Sequence, residues 1–148
     1  IGDEDCLNSL FSAYGASSPF LNQSALNIQI DLTQDSYEWL TSKKIVLVGE
    51  SCGLSAYFLL TKPKNLITIY STIIASGAIR LKNSNFTLEK VSDIPKKIQS
   101  IDSFYQNKRK KACFVYPSKN KNDLNRKSYG VDLWLIDHSF RMLQVSNK

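Results

Sequence analysis

A chain of 148 residues and 16.7 kDa, 43% hydrophobic and 22% charged, has the size and composition of one globular domain, which we expect to span residues 1–148. Apolar runs such as Ile45–Val48 and Ala56–Leu60 fall far short of the roughly 18–20 residues that a membrane span needs, and no leader is visible, so the expectation is a soluble, cytoplasmic protein without a membrane span. The net charge is +6, and if the basic residues form a functional patch, the partner it implies is acidic: nucleic acid, an anionic surface or an acidic carrier protein.

The first stretch is ambiguous. Leu7, Leu10, Phe11 and Tyr14 have helical spacing, while SLFSAYG also suits a strand running into a glycine turn. Leu26–Leu32 alternates cleanly and predicts a strand, and Thr33–Ser42 follows as a short helix capped by Thr33. Ile45–Val48 is a β-branched run without alternation, as in a strand buried on both faces. Gly49–Gly53 is a turn, and Leu54–Lys62 a helix stopped by Pro63. Leu66–Tyr70 predicts a further strand, which completes a βαβ pattern and hence a parallel sheet.

Beyond it, Ile73–Leu81 and Phe86–Val91 predict strands joined through the polar turn Asn83–Asn85. A helix is expected from Pro95 to about Lys108, with Ile94, Ile98, Ile101 and Tyr105 on one side. Ala112–Tyr116 and Val131–Ile136 predict strands, and Phe140–Val145 extends or pairs beside the last of them.

Gly49-Glu50-Ser51-Cys52-Gly53 matches G-x-S-x-G between a buried-strand run and an apolar helix, the setting of a nucleophile elbow. There the turn is expected to hold Ser51 strained and exposed at a helix N-terminus, where backbone N–H groups can stabilise an oxyanion, and side chains in place of the two glycines would collide with neighbouring elements. The plainer reading is a glycine turn with Ser51 as a cap. Serine needs a base, and His138, the single histidine, follows the expected strand Val131–Ile136. Asp123, in the loop after Ala112–Tyr116, is the first candidate for the acid. Asp102 and Asp132 are alternatives, and Asp137 is too near His138 in sequence for the required geometry.

Three cysteines, Cys6, Cys52 and Cys113, lack metal-ligand spacing, and one histidine does not make a zinc site, so neither metal nor organic cofactor is expected. A disulfide stays open, but a reducing compartment is favoured. Lys108–Lys111, Lys119, Lys121, Arg126 and Lys127 form either a solvated loop or a patch for an acidic partner. No aromatic residues interleave with them as in a stacking groove, so nucleic acid is the weakest choice of partner.

On these residues the chain resembles the α/β-hydrolase superfamily over nearly its whole length, although only the elbow is a specific motif. The resemblance implies a minimal hydrolase-like fold: a mostly parallel sheet of about six strands with helices on both faces. Leu7–Phe20 then resembles the early strand and oxyanion loop, so that the N–H of Ala16 joins that of Cys52 in the oxyanion hole. KIVLVGESCG resembles the nucleophile strand and elbow, ACFVYPSKNKND the acid-bearing loop, and VDLWLIDHSF the last strand with its histidine. Tyr14-Gly15 stands where the family commonly has His-Gly, Leu54 replaces a small residue, and the step of 15 positions from Asp123 to His138 leaves no room for a full helix.

Among compact members, the chain looks most like the small carboxylesterases that cleave the pimeloyl-carrier-protein methyl ester in biotin synthesis. On that likeness, residues 73–108 fall where a lid lies, and Ile74, Phe86, Leu88, Phe104 and Tyr105 would line an acyl channel. The implied activity is a serine carboxylesterase acting through an acyl-enzyme, with an acyl ester as substrate and an acidic acyl carrier protein as partner. The alternative is a non-catalytic binding or inhibitor module that uses the basic loop.

Overall fold

The computed structural model describes residues 3–20, 34, 49–106, 111–124 and 129–145. The expected strands at 26–32 and 45–48 and the expected helix at 33–42 lie outside them, apart from residue 34. Within them the protein is α/β. Helix α1 (Glu4–Ser17) leads to the turn at Gly49–Cys52, and α2 (Gly53–Thr61) follows that turn, then the single helical turn α3 (Lys64–Ile67). Strands β1 (Thr72–Ala75), β2 (Ala78–Lys82) and β3 (Asn85–Glu89) precede α4 (Ile94–Tyr105), and β4 (Ala112–Pro117), β5 (Asp132–Ile136) and β6 (Met142–Gln144) complete the order.

The main sheet is mixed and four-stranded, in the order β1-β4-β5-β6. β4 runs parallel to both neighbours, with Thr72 opposite Ala112 and Cys113 opposite Asp132, whereas β6 returns antiparallel along β5. β2 and β3 form a separate antiparallel hairpin. The expectation of about six mostly parallel strands is thus met only in its α/β character and in its helices on both faces.

Strand β4 is buried from end to end. Its alternate side chains point to opposite faces, so it serves two cores. Cys113 and Val115 pack with Leu54, Tyr57 and Phe58 of α2, with Ala13 of α1 and with Ile79 and Leu88 of the hairpin. Ala112, Phe114 and Tyr116 pack with Ile94 and Ile98 of α4 and with Leu133. The helices that precede and follow β1 in sequence, α2 and α4, therefore cover opposite faces. A crevice opens at the C-terminal ends of the strands where helices part in this way.

Several expectations change. Leu7–Phe20 is a helix rather than a strand and loop, because Asp3 caps it by accepting the N–H of Cys6 at 2.8 Å. Its buried residues are the small ones, Cys6, Ser9, Ala13 and Ser17, while Leu7 and Phe11 face outward. Small side chains let α1 approach α2 closely. The β-branched run at Leu66–Tyr70 does not form a strand. Pro63 starts α3, where its carbonyl accepts the N–H groups of Leu66 and Ile67, and only Leu66 and Tyr70 are buried. The expected strand Ile73–Leu81 breaks at Ser76–Gly77 into members of two sheets. A Cβ on Gly77 would lie 2.8 Å from Leu88 and 3.0 Å from Leu54, so the crossing point requires glycine. Between β4 and β5 a 3-10 helix at Ser118–Asp123 stands in the short connection.

Of the segment 73–108 expected as a lid, β1 is a strand of the main sheet and α4 covers one face of it. The hairpin turns through Asn83 and Ser84, both at positive φ, as a two-residue reversal demands. Glu89 accepts Lys119 Nζ at 2.6 Å and Lys82 Nζ at 2.8 Å, and these bonds hold its carboxyl at about 2, below the 4.5 of a free glutamate. A depressed carboxyl stabilises the fold above its unfolded value and loses that contribution as pH falls toward the folded one. The stability gap between wild type and Glu89→Gln, read from urea midpoints, should be full at pH 7 and shrink steadily from pH 4.5 toward pH 2.

Candidate active-site cleft

The turn at Gly49–Cys52 is clamped from two sides. On the α1 side, Asp3 accepts the Gly49 N–H at 3.3 Å, Ser9 Oγ donates to the Glu50 carbonyl at 2.5 Å, and Cys6 Sγ lies 3.5 Å from Cys52 Sγ. On the hairpin side, Glu50 takes a bidentate pair from Arg80 at 2.6 and 2.7 Å, and this guanidinium lowers its carboxyl. The turn is also tied to the end of β1, because Gly77 N–H donates to the Ser51 carbonyl and Leu54 N–H to the Gly77 carbonyl, both at 3.0 Å. A Cβ on Gly53 would strike Ser9 Oγ and lie 3.2 Å from the Ile79 nitrogen. Gly49 is required for a different reason, its φ of +86°. Backbone strain was expected at the serine, but the left-handed residue is Gly49, two positions earlier.

Ser51 and Cys52 open onto a cleft of about 470 Å³ between α2 and α4, at the C-terminal end of β1. Ser55, Ser76 and Ser100 add hydroxyls to its wall, and Ile74, Ile101 and Phe114 supply its apolar part. The Ser51 hydroxyl has no hydrogen-bond partner among the described residues. The Cys52 amide is taken by no carbonyl among them, and it faces its own thiol. The Cys52 thiol is pushed up to about 11, chiefly by burial and then by its bond with Cys6, so it is protonated at neutral pH. The three cysteines are free thiols.

Lys97 also lines the cleft. It projects from the first turns of α4 and donates to Ser76 Oγ at 3.0 Å. Burial lowers its ammonium from the ordinary value, against the opposing charge of Asp93. Lys97 was missed in the sequence because its partner, Ser76, follows β1, 21 residues away. The available signal was its position three residues after Ile94 on a helix whose apolar face was evident.

The other expected site residues are dispersed. Asp123, in the 3-10 helix after β4, and His138, in the turn after β5, share the C-terminal edge of the parallel strands with Ser51. Neither is among the cleft-lining residues, and both are exposed. Asp123 accepts Asn120 Nδ2 at 2.7 Å, and no hydrogen bond among the described residues joins His138 to Ser51 or to Asp123. Asp137 is taken by Arg141 at 3.0 Å. Asp132 accepts the Tyr70 hydroxyl at 2.7 Å at the N-terminal end of β5, and Asp102 accepts the Gly130 N–H near that end, so both lie at the wrong edge for Ser51. Ala16 sits in the last turn of α1 rather than in a loop.

Of the five residues expected along an acyl channel, Ile74 alone lines the cleft. Leu88 is fully buried and Phe86 packs with it in the core shared with α2. Phe104 and Tyr105 meet edge to face, 4.9 Å between centroids, at the far end of α4. Of the basic residues, Lys119 is paired with Glu89, Lys111 lies 5.6 Å above the Tyr70 ring, and Lys121 is exposed. Lys108–Lys110, Arg126 and Lys127 lie outside the described residues.

Among the described residues no cluster of three or more His, Cys, Asp and Glu could hold a metal, and no helix is long and apolar enough to cross a membrane. The fold and cleft together define an α/β protein with a serine-bearing crevice at a strand edge. No family model, curated protein or solved structure matches the chain.

Proposed function

We propose that this chain is a serine ester hydrolase in which Ser51 attacks an acyl carbonyl and passes through an acyl-enzyme. One observation carries the reading: Ser51, whose hydroxyl has no hydrogen-bond partner among the described residues, opens onto the cleft beside Cys52. On this reading the Cys52 N–H, at the start of α2, turns to the oxyanion that forms as Ser51 Oγ bonds to the carbonyl carbon. The apolar wall of Ile74, Ile101 and Phe114 suits an acyl chain.

The α/β-hydrolase resemblance assigns the base to His138 and the orienting acid to Asp123. Their place at the same sheet edge supports that assignment, while their absence from the cleft speaks against it. A pimeloyl ester borne on an acidic carrier protein has chiefly the net positive charge of the chain behind it, since Lys119 is already spent on Glu89.

A fluorophosphonate probe should label the protein once, with the adduct on the tryptic peptide that carries Ser51, and Ser51→Ala should lose the label and the hydrolysis of p-nitrophenyl butyrate together. A folded wild-type protein that neither reacts with the probe nor turns over the ester overturns the reading.

A further inference from the structure

We infer that Lys97, positioned by Ser76, is the base that serves Ser51. The inference rests on the reading of Ser51 as nucleophile and replaces the imidazole that the resemblance would supply.

Three observations carry it. The cleft that Ser51 enters holds Lys97 and excludes His138 from its lining. Among the described residues, Lys97 Nζ makes one hydrogen bond, to a neutral hydroxyl, Ser76 Oγ at 3.0 Å, and no carboxylate there pairs with it. Ser51 and Ser76 belong to adjoining backbone, because the Ser51 carbonyl accepts the N–H of Gly77, the residue after Ser76. An amine held between a hydroxyl and an apolar wall by burial loses its proton more readily than one in water, and that is what a base requires. The charged or titratable groups that face it are Asp93, one turn back on its own helix, and the Cys52 thiol across the cleft. The β1 and β4 walls contribute Ile74, Ala75, Ser76 and Phe114, none of them ionisable at working pH.

The proton and electron account closes without a further reactant. The neutral Lys97 amine takes the Ser51 hydroxyl proton, directly or through the Ser76 hydroxyl, as Ser51 Oγ bonds to the acyl carbon and the carbonyl pair moves onto oxygen. Collapse of that intermediate breaks the ester C–O bond, and the Lys97 ammonium protonates the departing alcohol. Water then attacks the acyl-enzyme and gives its proton to Lys97, and Ser51 recovers a proton from Lys97 as the acid leaves.

The test follows the second-order rate of fluorophosphonate labelling at Ser51 against pH in wild type, Lys97→Met, Lys97→Arg and Ser76→Ala, each checked for native circular dichroism. Arginine keeps the positive charge but does not give up its proton, so it separates a base from a simple cation. Expected are losses of about 100-fold or more in both Lys97 variants, a smaller loss in Ser76→Ala, and a wild-type rate that rises with pH above the imidazole range near 6.5. Retained labelling in Lys97→Arg overturns the assignment, as does a loss confined to ester KM. Abolition of labelling in His138→Gln with an intact Lys97→Arg returns the role to the imidazole. A wild-type protein that is never labelled defeats the Ser51 reading itself, a failure distinct from labelling that survives without Lys97.

Discussion

Phe114→Ala should destabilise the protein by about 3–5 kcal/mol, the range for removing a large buried aromatic, and lower its melting temperature by on the order of 10 °C for a chain of this length. Phe114 is 1% exposed in the central strand, stacks on Tyr116 with ring centroids 5.4 Å apart, and packs with Ile94 and Ile98 of α4. Truncation leaves a void under α4 that the rigid strand cannot fill. The same side chain forms part of the cleft wall, so the loss should reach function as well as stability. Urea denaturation measures the first effect, with Phe11→Ala as the control: Phe11 is 72% exposed and its truncation should stay within about 0.5 kcal/mol. A cost below about 1 kcal/mol for Phe114→Ala would show that the strand is not packed on both faces.

Asn120→Ala should cost about 2–4 kcal/mol although it removes no large apolar group. Asn120 is 1% exposed. Its Oδ1 accepts the Val91 N–H at 3.0 Å, and its Nδ2 donates to the Val91 carbonyl at 2.8 Å and to Asp123 at 2.7 Å. The side chain thus acts as a peptide group that joins the segment after β3 to the 3-10 helix after β4. Alanine strands two half-buried backbone polar groups of Val91, and that penalty exceeds the net worth of the bonds themselves. Asn122→Ala, two residues away and exposed, is the matching control in the same urea titration, expected within about 0.5 kcal/mol. Equal effects at the two positions would remove the assigned role.

Where packing follows local pattern, the sequence was readable. The run ACFVY foretold β4, the Ile94–Ile98–Ile101 spacing foretold α4, and the polar Asn83–Asn85 stretch foretold the hairpin. The failures share a cause, which is tertiary context overriding propensity. LITIY has strand composition but lies just after a proline that starts a helical turn. In α1 the spacing of large apolar residues is helical, yet Leu7 and Phe11 of that set face outward, because the inner face needed small side chains against α2. At the cleft, the turn that carries Ser51 was legible through its glycines, since Gly49 and Gly53 are local demands on the backbone. Lys97 was not, because the bond that gives it meaning joins two elements that only the fold brings together.

The division of β4 between two cores has a consequence for cooperativity. Val115 and Phe114 are neighbours in the chain, yet one answers to α2 and the other to α4. Between those helices, mechanical communication runs mainly through the thickness of one sheet. The cleft is where side chains anchored in each core face the same space, Ser51 and Ser55 from one side and Lys97 and Ile101 from the other. A molecule seated there bridges the two cores directly, so its binding energy goes into their joint unfolding rather than into either one alone.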